Sequence, residues 1–155
     1  MVRIGTGYDV HRLLPERKLI LCGVEVPCEL GLLGHSDADV AVHALMDAIL
    51  GALAMGDIGK LFPDSDPQYK GADSMKLLAE VIRRMEGAGF RLGNLDLTII
   101  AERPKLAKHI PAMRESLAAA FGCDISQVSV KATTEEGLGL AGAGIGSQAA
   151  VLLEK

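Results

Sequence analysis

The chain has 155 residues, a formal charge of −4, three cysteines, no tryptophan and 3% aromatic residues. That length suits one domain, residues 1–155, with a core of Leu, Ile, Val, Ala and Met. The acidic balance gives no electrostatic case for nucleic acid or an anionic membrane as partner, scarce aromatics weaken any base-stacking platform, and three cysteines with no C-x-x-C pair and no visible signal peptide predict a reducing, cytoplasmic setting.

Residues 2 to 12 mix β-branched and aromatic residues with two glycines, which predicts a strand whose backbone something approaches closely. Asp9 and His11 share one face of that strand. Lys18 to Cys22 and Val24 to Val26, split by Gly23 and closed by Pro27, predict a small hairpin. Gly31 to Gly34 reads as a loop delivering a helix that opens at about Ser36, capped by Ser36 or Asp37, and stops near Met55-Gly56. Within this helix Asp39, His43 and Asp47 recur every four residues and share one polar face, flanked by Val40, Ala41, Leu45, Met46, Ile49 and Leu50. The run from Val40 to Gly56 is a little short for a bilayer and carries His43 and Asp47, each expensive in hydrocarbon, so it is not read as a membrane span.

Residues 57 to 74 are rich in turn formers and carboxylates, with two prolines that forbid a long helix, and read as a functional loop. Asp73 or Ser74 then caps a helix to about Gly87, in which Leu77, Leu78, Val81, Ile82 and Met85 follow the helical period and the Lys and Arg residues form a solvated face. Leu95 to Ala101 reads as a central strand, with a loop at Glu102 to Lys105. A helix follows from about Pro111 to Phe121, then strands at Val128 to Ala132 and Gln148 to Leu153. Between these strands Gly137-Leu-Gly-Leu-Ala-Gly142 matches G-x-G-x-x-G. It opens no plausible helix, however, and leaves 13 residues before the chain ends, too few for an acidic ribose contact. It reads as a tight turn or, with the rest of the nearly uncharged segment 137–147, as an interface between chains. The element order suits a two-layer α/β sandwich: a mixed four-stranded sheet with helices on one face, plus a small β-hairpin, its other face covered in an oligomer.

Two imidazoles and a carboxylate at Asp9, His11 and His43 suit zinc with an open fourth position, although a salt-bridged histidine explains the same residues. Asp39 or Asp47 would accept an imidazole N–H, or serve as a cap or surface charge. His35-Ser36 at a helix start would offer an anion two side-chain donors and free backbone N–H groups, while capping alone also explains Ser36. Thr133-Thr134-Glu135-Glu136 after a strand would hold phosphate through hydroxyls and a hard cation through a carboxylate, or be an ordinary exposed loop. Lys105 is ambiguous by itself.

The blocks Arg3-Ile-Gly-Thr-Gly-Tyr-Asp-Val-His11, Gly31-Leu-Leu-Gly-His-Ser-Asp-Ala-Asp39, Gly56-Asp-Ile-Gly-Lys-Leu-Phe-Pro-Asp-Ser-Asp-Pro67, Lys70-Gly-Ala-Asp-Ser74 and Lys131-Ala-Thr-Thr134 lie in order over nearly the whole chain. Together they resemble the 2-C-methyl-D-erythritol 2,4-cyclodiphosphate synthase family of the non-mevalonate isoprenoid pathway. The resemblance implies a homotrimer with active sites between subunits. It implies a cyclisation in which the 2-phosphate of 4-diphosphocytidyl-2-C-methyl-D-erythritol 2-phosphate attacks the β-phosphorus of the same molecule and CMP leaves. It also implies Zn²⁺ on Asp9, His11 and His43, with Asp9 and His11 contacting the substrate as well. His35 and Ser36 would contact diphosphate, and His35 with Thr134 would stabilise the transition state. Asp57, Ile58, Gly59, Phe62, Asp64 and Asp66 would contact the methylerythritol part. Ala101, Lys105 and Leu106 would form the cytidine end, and Thr133 to Glu136 would complete the site, Glu136 holding a second cation, Mg²⁺ or Mn²⁺.

Two positions depart from the family pattern. Where the family usually has Thr-Thr-Thr-Glu this chain has Thr133-Thr134-Glu135-Glu136, so Glu135, Glu136 or both are candidates for the second cation. The family's Phe-x-Gly-Arg is here Leu140-Ala-Gly-Ala143, which argues against phosphate or isoprenoid-diphosphate binding in a central trimer cavity. Apart from the resemblance, the inventory also suits a zinc phosphohydrolase or a non-catalytic trimeric metal-binding protein.

Overall fold

A computed structural model describes residues 1–155. Strands β1 (Val2–Pro15), β2 (Leu19–Leu21), β3 (Val24–Val26) and β4 (Leu30–Leu32) precede helix α1 (Val40–Ala52). Then come α2 (Ile58–Leu61), α3 (Ser74–Gly87), β5 (Arg91–Ile100), α4 (Ile110–Phe121), β6 (Val128–Thr133) and β7 (Gly144–Glu154). Five strands form one mixed sheet in the order β4-β1-β7-β5-β6, parallel only between β5 and β6, and β2 with β3 forms the separate hairpin. The sheet has one strand more than the expected four. Gly31 and Leu32, read as part of a loop, instead form with Leu30 a strand that pairs with the far end of β1, Leu13 opposite Leu32. That edge exists because β1 runs on to Pro15, beyond the expected end at residue 12.

α1 lies across β1 and β7, with α3 beside it and α4 against β6. Ten of its residues are buried, including all six of the expected apolar flank, so it is a central helix covered on nearly every side. Small residues let it sit unusually close to the sheet. A Cβ on Gly7 would lie 1.9 Å from the Ala44 carbonyl oxygen, and one on Gly5 would lie 1.9 Å from that of Ala48. These are the backbone approaches that glycines in a strand forecast.

α1 begins later than expected. Ala38 has a positive φ of 59°, and Asp39, not Ser36 or Asp37, is the cap. The Asp39 carboxylate accepts from Val42 N–H at 3.1 Å, and also from Cys22 N–H at 3.0 Å and Gly23 N–H at 2.8 Å in the hairpin turn. Burial pushes its carboxyl up to about 6 against the pull of those donors. Asp39 therefore pins the hairpin to the helix and does not share the polar face of His43 and Asp47.

The segment 137–147 divides in two. Gly137, Gly139 and Gly142 all have positive φ and form turns, as read. Gly144 to Ser147, however, are buried in β7 between β1 and β5, which corrects their assignment to an interface loop. No helix is long and apolar enough to cross a membrane.

Candidate active site

Alternation along β1 turns Gly5, Gly7, Asp9 and His11 toward α1, and the glycines bring His43 on α1 within reach of the other two polar residues. One oxygen of Asp9 lies 2.9 Å from His11 Nε2 and 3.1 Å from His43 Nδ1, and the two nitrogens are 3.3 Å apart. Ligand atoms about 2.0–2.1 Å from a tetrahedral zinc stand roughly 3.3 Å from one another. The triangle has that size, and its donor chemistry fits a divalent metal. Burial acts to raise the Asp9 carboxyl, but hydrogen bonds from His11 and His43 and their charges outweigh it and hold the group far below the usual carboxylate range. The same hydrogen bond, donated by His11 to Asp9, raises His11 above the ordinary histidine value despite its burial.

These three residues open on a cleft of about 390 Å³ that is also lined by Gly34, His35, Ser36, Met46, Ile58, Gly59, Phe62, Pro63, Asp64, Tyr69 and Leu77. His35 and Ser36 precede α1 in a bend and do not form a helix N-terminus, because the helix starts at Val40. The Ser36 hydroxyl oxygen accepts from Ala38 N–H at 3.1 Å and lies 3.1 Å from His43 Nε2. His35 Nε2 is buried and has no protein partner, so it is free for a ligand in the cleft.

The opposite wall comes from the loop after α1. Asp57 caps α2 by accepting from Lys60 N–H at 2.9 Å, and Asp66 caps the turn at Pro67–Tyr69. Phe62 meets Tyr69 edge to face at 5.2 Å between centroids. Asp47, one turn beyond His43, accepts from Ile58 N–H at 2.8 Å, which ties this wall to the helix that carries His43. Its carboxylate thus supports the cleft wall, not an imidazole. Asp47→Ala is expected to cost about 1–2 kcal/mol by stranding that half-buried N–H; urea unfolding measures it, and an unchanged midpoint would show the tether to be idle.

None of Ala101, Lys105, Leu106 or Thr133 to Glu136 lines this cleft. Ala101 and Thr133 to Glu136 gather elsewhere, where the parallel strands β5 and β6 end side by side, Ile100 opposite Thr133, and Ala101 N–H donates to Thr133 O at 2.9 Å; Lys105 and Leu106 follow in the loop after β5. The Glu102 carboxylate braces this second cluster by accepting from Glu135 N–H at 3.0 Å and Gly137 N–H at 3.1 Å. Glu135 is turned inward, its carboxylate accepting from Leu140 N–H at 2.9 Å, whereas the Glu136 side chain makes no hydrogen bond or ion pair.

The family model described as the YgbB family matches residues 2–154. The chain belongs to the YgbB family. Among YgbB relatives, the protein named 2-C-methyl-D-erythritol 2,4-cyclodiphosphate synthase from Syntrophotalea carbinolica is 65% identical over 157 aligned residues, covering 100% of this chain and 96% of its own. The one of the same name from Trichlorobacter lovleyi is 63% identical, with 98% of each chain covered. A solved structure of such a synthase in its CDP-bound form superposes with a TM-score of 0.92 at 42% identity, covering 98% of this chain and 100% of that one. Sequence reasoning on the YgbB chain missed that the Ser74 hydroxyl lies 3.1 Å from His43 Nε2 and that the Asp37 carboxylate accepts from Ser74 N–H at 3.0 Å. Ser74 was legible only as a helix cap, a role that Asp73 fills by accepting from Met75 N–H at 2.9 Å.

Proposed function

We propose that this chain, working as one domain, is a 2-C-methyl-D-erythritol 2,4-cyclodiphosphate synthase. In this reading it cyclises 4-diphosphocytidyl-2-C-methyl-D-erythritol 2-phosphate and releases CMP. The observation that carries the proposal is the Asp9–His11–His43 triangle sharing one cleft with the unpartnered His35 Nε2. Full-length identity above 60% to proteins of that name supports it.

The nucleophile belongs to the substrate, so the protein need not supply a reactive Ser or Cys; it must fold a flexible chain into an in-line arrangement. An oxygen of the 2-phosphate bonds to the β-phosphorus, the bond from that phosphorus to the bridging oxygen breaks, and CMP carries off the electron pair. Asp9, His11 and His43 would hold Zn²⁺, which when bound draws charge from the β-phosphate oxygens. His35 and the Ser36 hydroxyl donate to the diphosphate. Ile58, Gly59, Phe62 and Asp64 would seat the methylerythritol part and, with Met46 and Leu77, exclude water that would hydrolyse the substrate instead.

The second cluster completes the site when it comes from a neighbouring subunit. Two separate groups of site residues on one chain are what a site between subunits requires. Val2, Ile4, Tyr8 and Val10 are exposed along β1, opposite the α1 face, and an oligomer would bury them. In the homotrimer we propose, Ala101, Lys105 and Leu106 receive cytidine, Asp57 and Asp66 border the entrance, and Thr133 and Thr134 contact phosphate. Glu136, free where Glu135 is engaged, takes the Mg²⁺ or Mn²⁺. A cytoplasmic location agrees with three cysteines that are all free thiols.

Phosphorus NMR of the chain incubated with substrate and divalent metal tests the reading. CMP with a cyclic diphosphate is the expected result, and CMP with a linear diphosphate would make it a hydrolase. The pH dependence of metal binding follows from His11. A bound metal needs the neutral imidazole, and Asp9 raises the proton's hold on it. Zinc affinity should therefore rise with pH until His11 has lost its proton, by roughly tenfold per pH unit for each proton displaced. Chelator competition at pH 6 and pH 8 measures this, and equal affinities would remove His11 from the ligand set.

A further inference from the structure

Behind the metal-facing triangle, His43 Nε2 lies 3.1 Å from the Ser74 hydroxyl, which begins α3 and is fully buried. The Ser74 hydroxyl donates to one oxygen of Asp37, and Ser74 N–H donates to the other at 3.0 Å. A hydroxyl has one hydrogen. With that hydrogen given to the carboxylate, Ser74 can only accept from the imidazole, so Nε2 carries a proton, and the nitrogen left to give a lone pair to a metal is Nδ1, 3.1 Å from Asp9, where the metal would replace the proton that Nδ1 shares with that carboxylate. Ser36, equally near Nε2, already accepts from Ala38 N–H and has no carboxylate partner of its own.

We propose that Ser74, oriented by Asp37, is a positioning residue that selects the tautomer of His43 and aims its Nδ1 at the metal. This rests on the metal-binding reading of Asp9, His11 and His43. The pair brings residues from before α1 and from the start of α3 onto a side chain of α1, so three elements that diverge in sequence fix one nitrogen. It also leaves the Ser36 hydroxyl hydrogen free for the ligand in the cleft.

Zinc affinity, measured by chelator competition on the purified full chain, tests this without recourse to turnover. Ser74→Ala should weaken zinc binding by roughly 10–100-fold, the effect usual for removing a hydrogen-bond partner of a ligating histidine. Asp37→Asn, which keeps size and an acceptor but drops the charge, should weaken it in the same direction. Cobalt(II) substituted for zinc gives a second readout: its visible ligand-field bands should shift in Ser74→Ala, which a loss of packing alone would not cause. A Ser74→Ala chain that folds, by its metal-free thermal melt, and binds zinc within threefold of the parent would overturn the inference while leaving the metal reading intact. If that variant does not fold, Asp37→Asn with unchanged zinc affinity overturns it equally. A parent chain that binds no zinc would overturn both.

Discussion

His43→Ala is expected to strip the chain of bound zinc and to lower kcat/KM on the order of a thousandfold or more, while leaving it folded. The imidazole is one corner of a triangle with edges of 2.9, 3.1 and 3.3 Å, and no other His, Cys, Asp or Glu shares that cluster. Removing it leaves two ligands, too few for a divalent ion at micromolar supply, and the charge developing on phosphate oxygens then loses its main counterweight, a term worth several kcal/mol. The fold should survive because α1 is anchored by its other buried residues and by the Asp39 cap. Mass spectrometry of the native protein for zinc, with a thermal melt as control, decides the matter. Zinc retained at one per chain would mean that the ligand set is wrong.

Gly7→Ala is expected to be, with Gly5→Ala, among the most damaging single methyl groups in the sheet. Its Cβ would stand 1.9 Å from the Ala44 carbonyl oxygen and 2.9 Å from Ala48 N, both backbone atoms of a helix enclosed on its other sides. No flexible side chain is there to yield, so either β1 or α1 must move. Overpacking that shifts backbone costs typically about 1–3 kcal/mol, and a contact this short belongs at or above the upper end. The displacement has a second consequence, because Ala44 follows His43 and Gly7 lies two residues before Asp9. Zinc affinity should therefore fall together with the denaturation midpoint. A variant within about 0.5 kcal/mol of the parent, the range of an inconsequential surface change, with normal zinc affinity would show that helix and sheet can separate without disturbing the site.

Much of the site was legible because its chemistry is written in residue types at local spacing. Asp9-Val-His11 needs only the alternation of a strand to place two candidate ligands on one face. α3 was read to its observed end at Gly87 from its apolar period, and its start from a cap at Asp73 or Ser74, of which Asp73 is the cap and Ser74 the first helical residue. The mixed sheet, the hairpin and the turns of 137–142 likewise follow from local pattern. Errors fell where a distant partner decides. Ser36 and Asp37 are both good caps by type, yet Asp39 caps α1, because only that carboxylate also meets the N–H groups of Cys22 and Gly23. Leu30–Leu32 has too few residues to announce a strand, and becomes one because the long β1 leaves an edge for it. Gly144 to Ser147 carry mostly small residues that suit a loop, and are strand because β1 pairs with all four and β5 with Gly146 and Ser147 from the other side.

The opening helix shows the division most clearly. By itself the sequence determined that His43 would be a polar group among buried neighbours, that Asp9 and His11 would share a face, and that a metal was the chemistry to suspect. Tertiary structure alone decided that two glycines would bring the faces within 3.3 Å, that Asp47 would hold a wall of the cleft, and that Ser74 and Asp37 would stand behind the imidazole. The physical reason is that periodicity records which way a side chain points within its own element. The partner it meets there is set by non-local packing, which brings together residues that no local pattern relates.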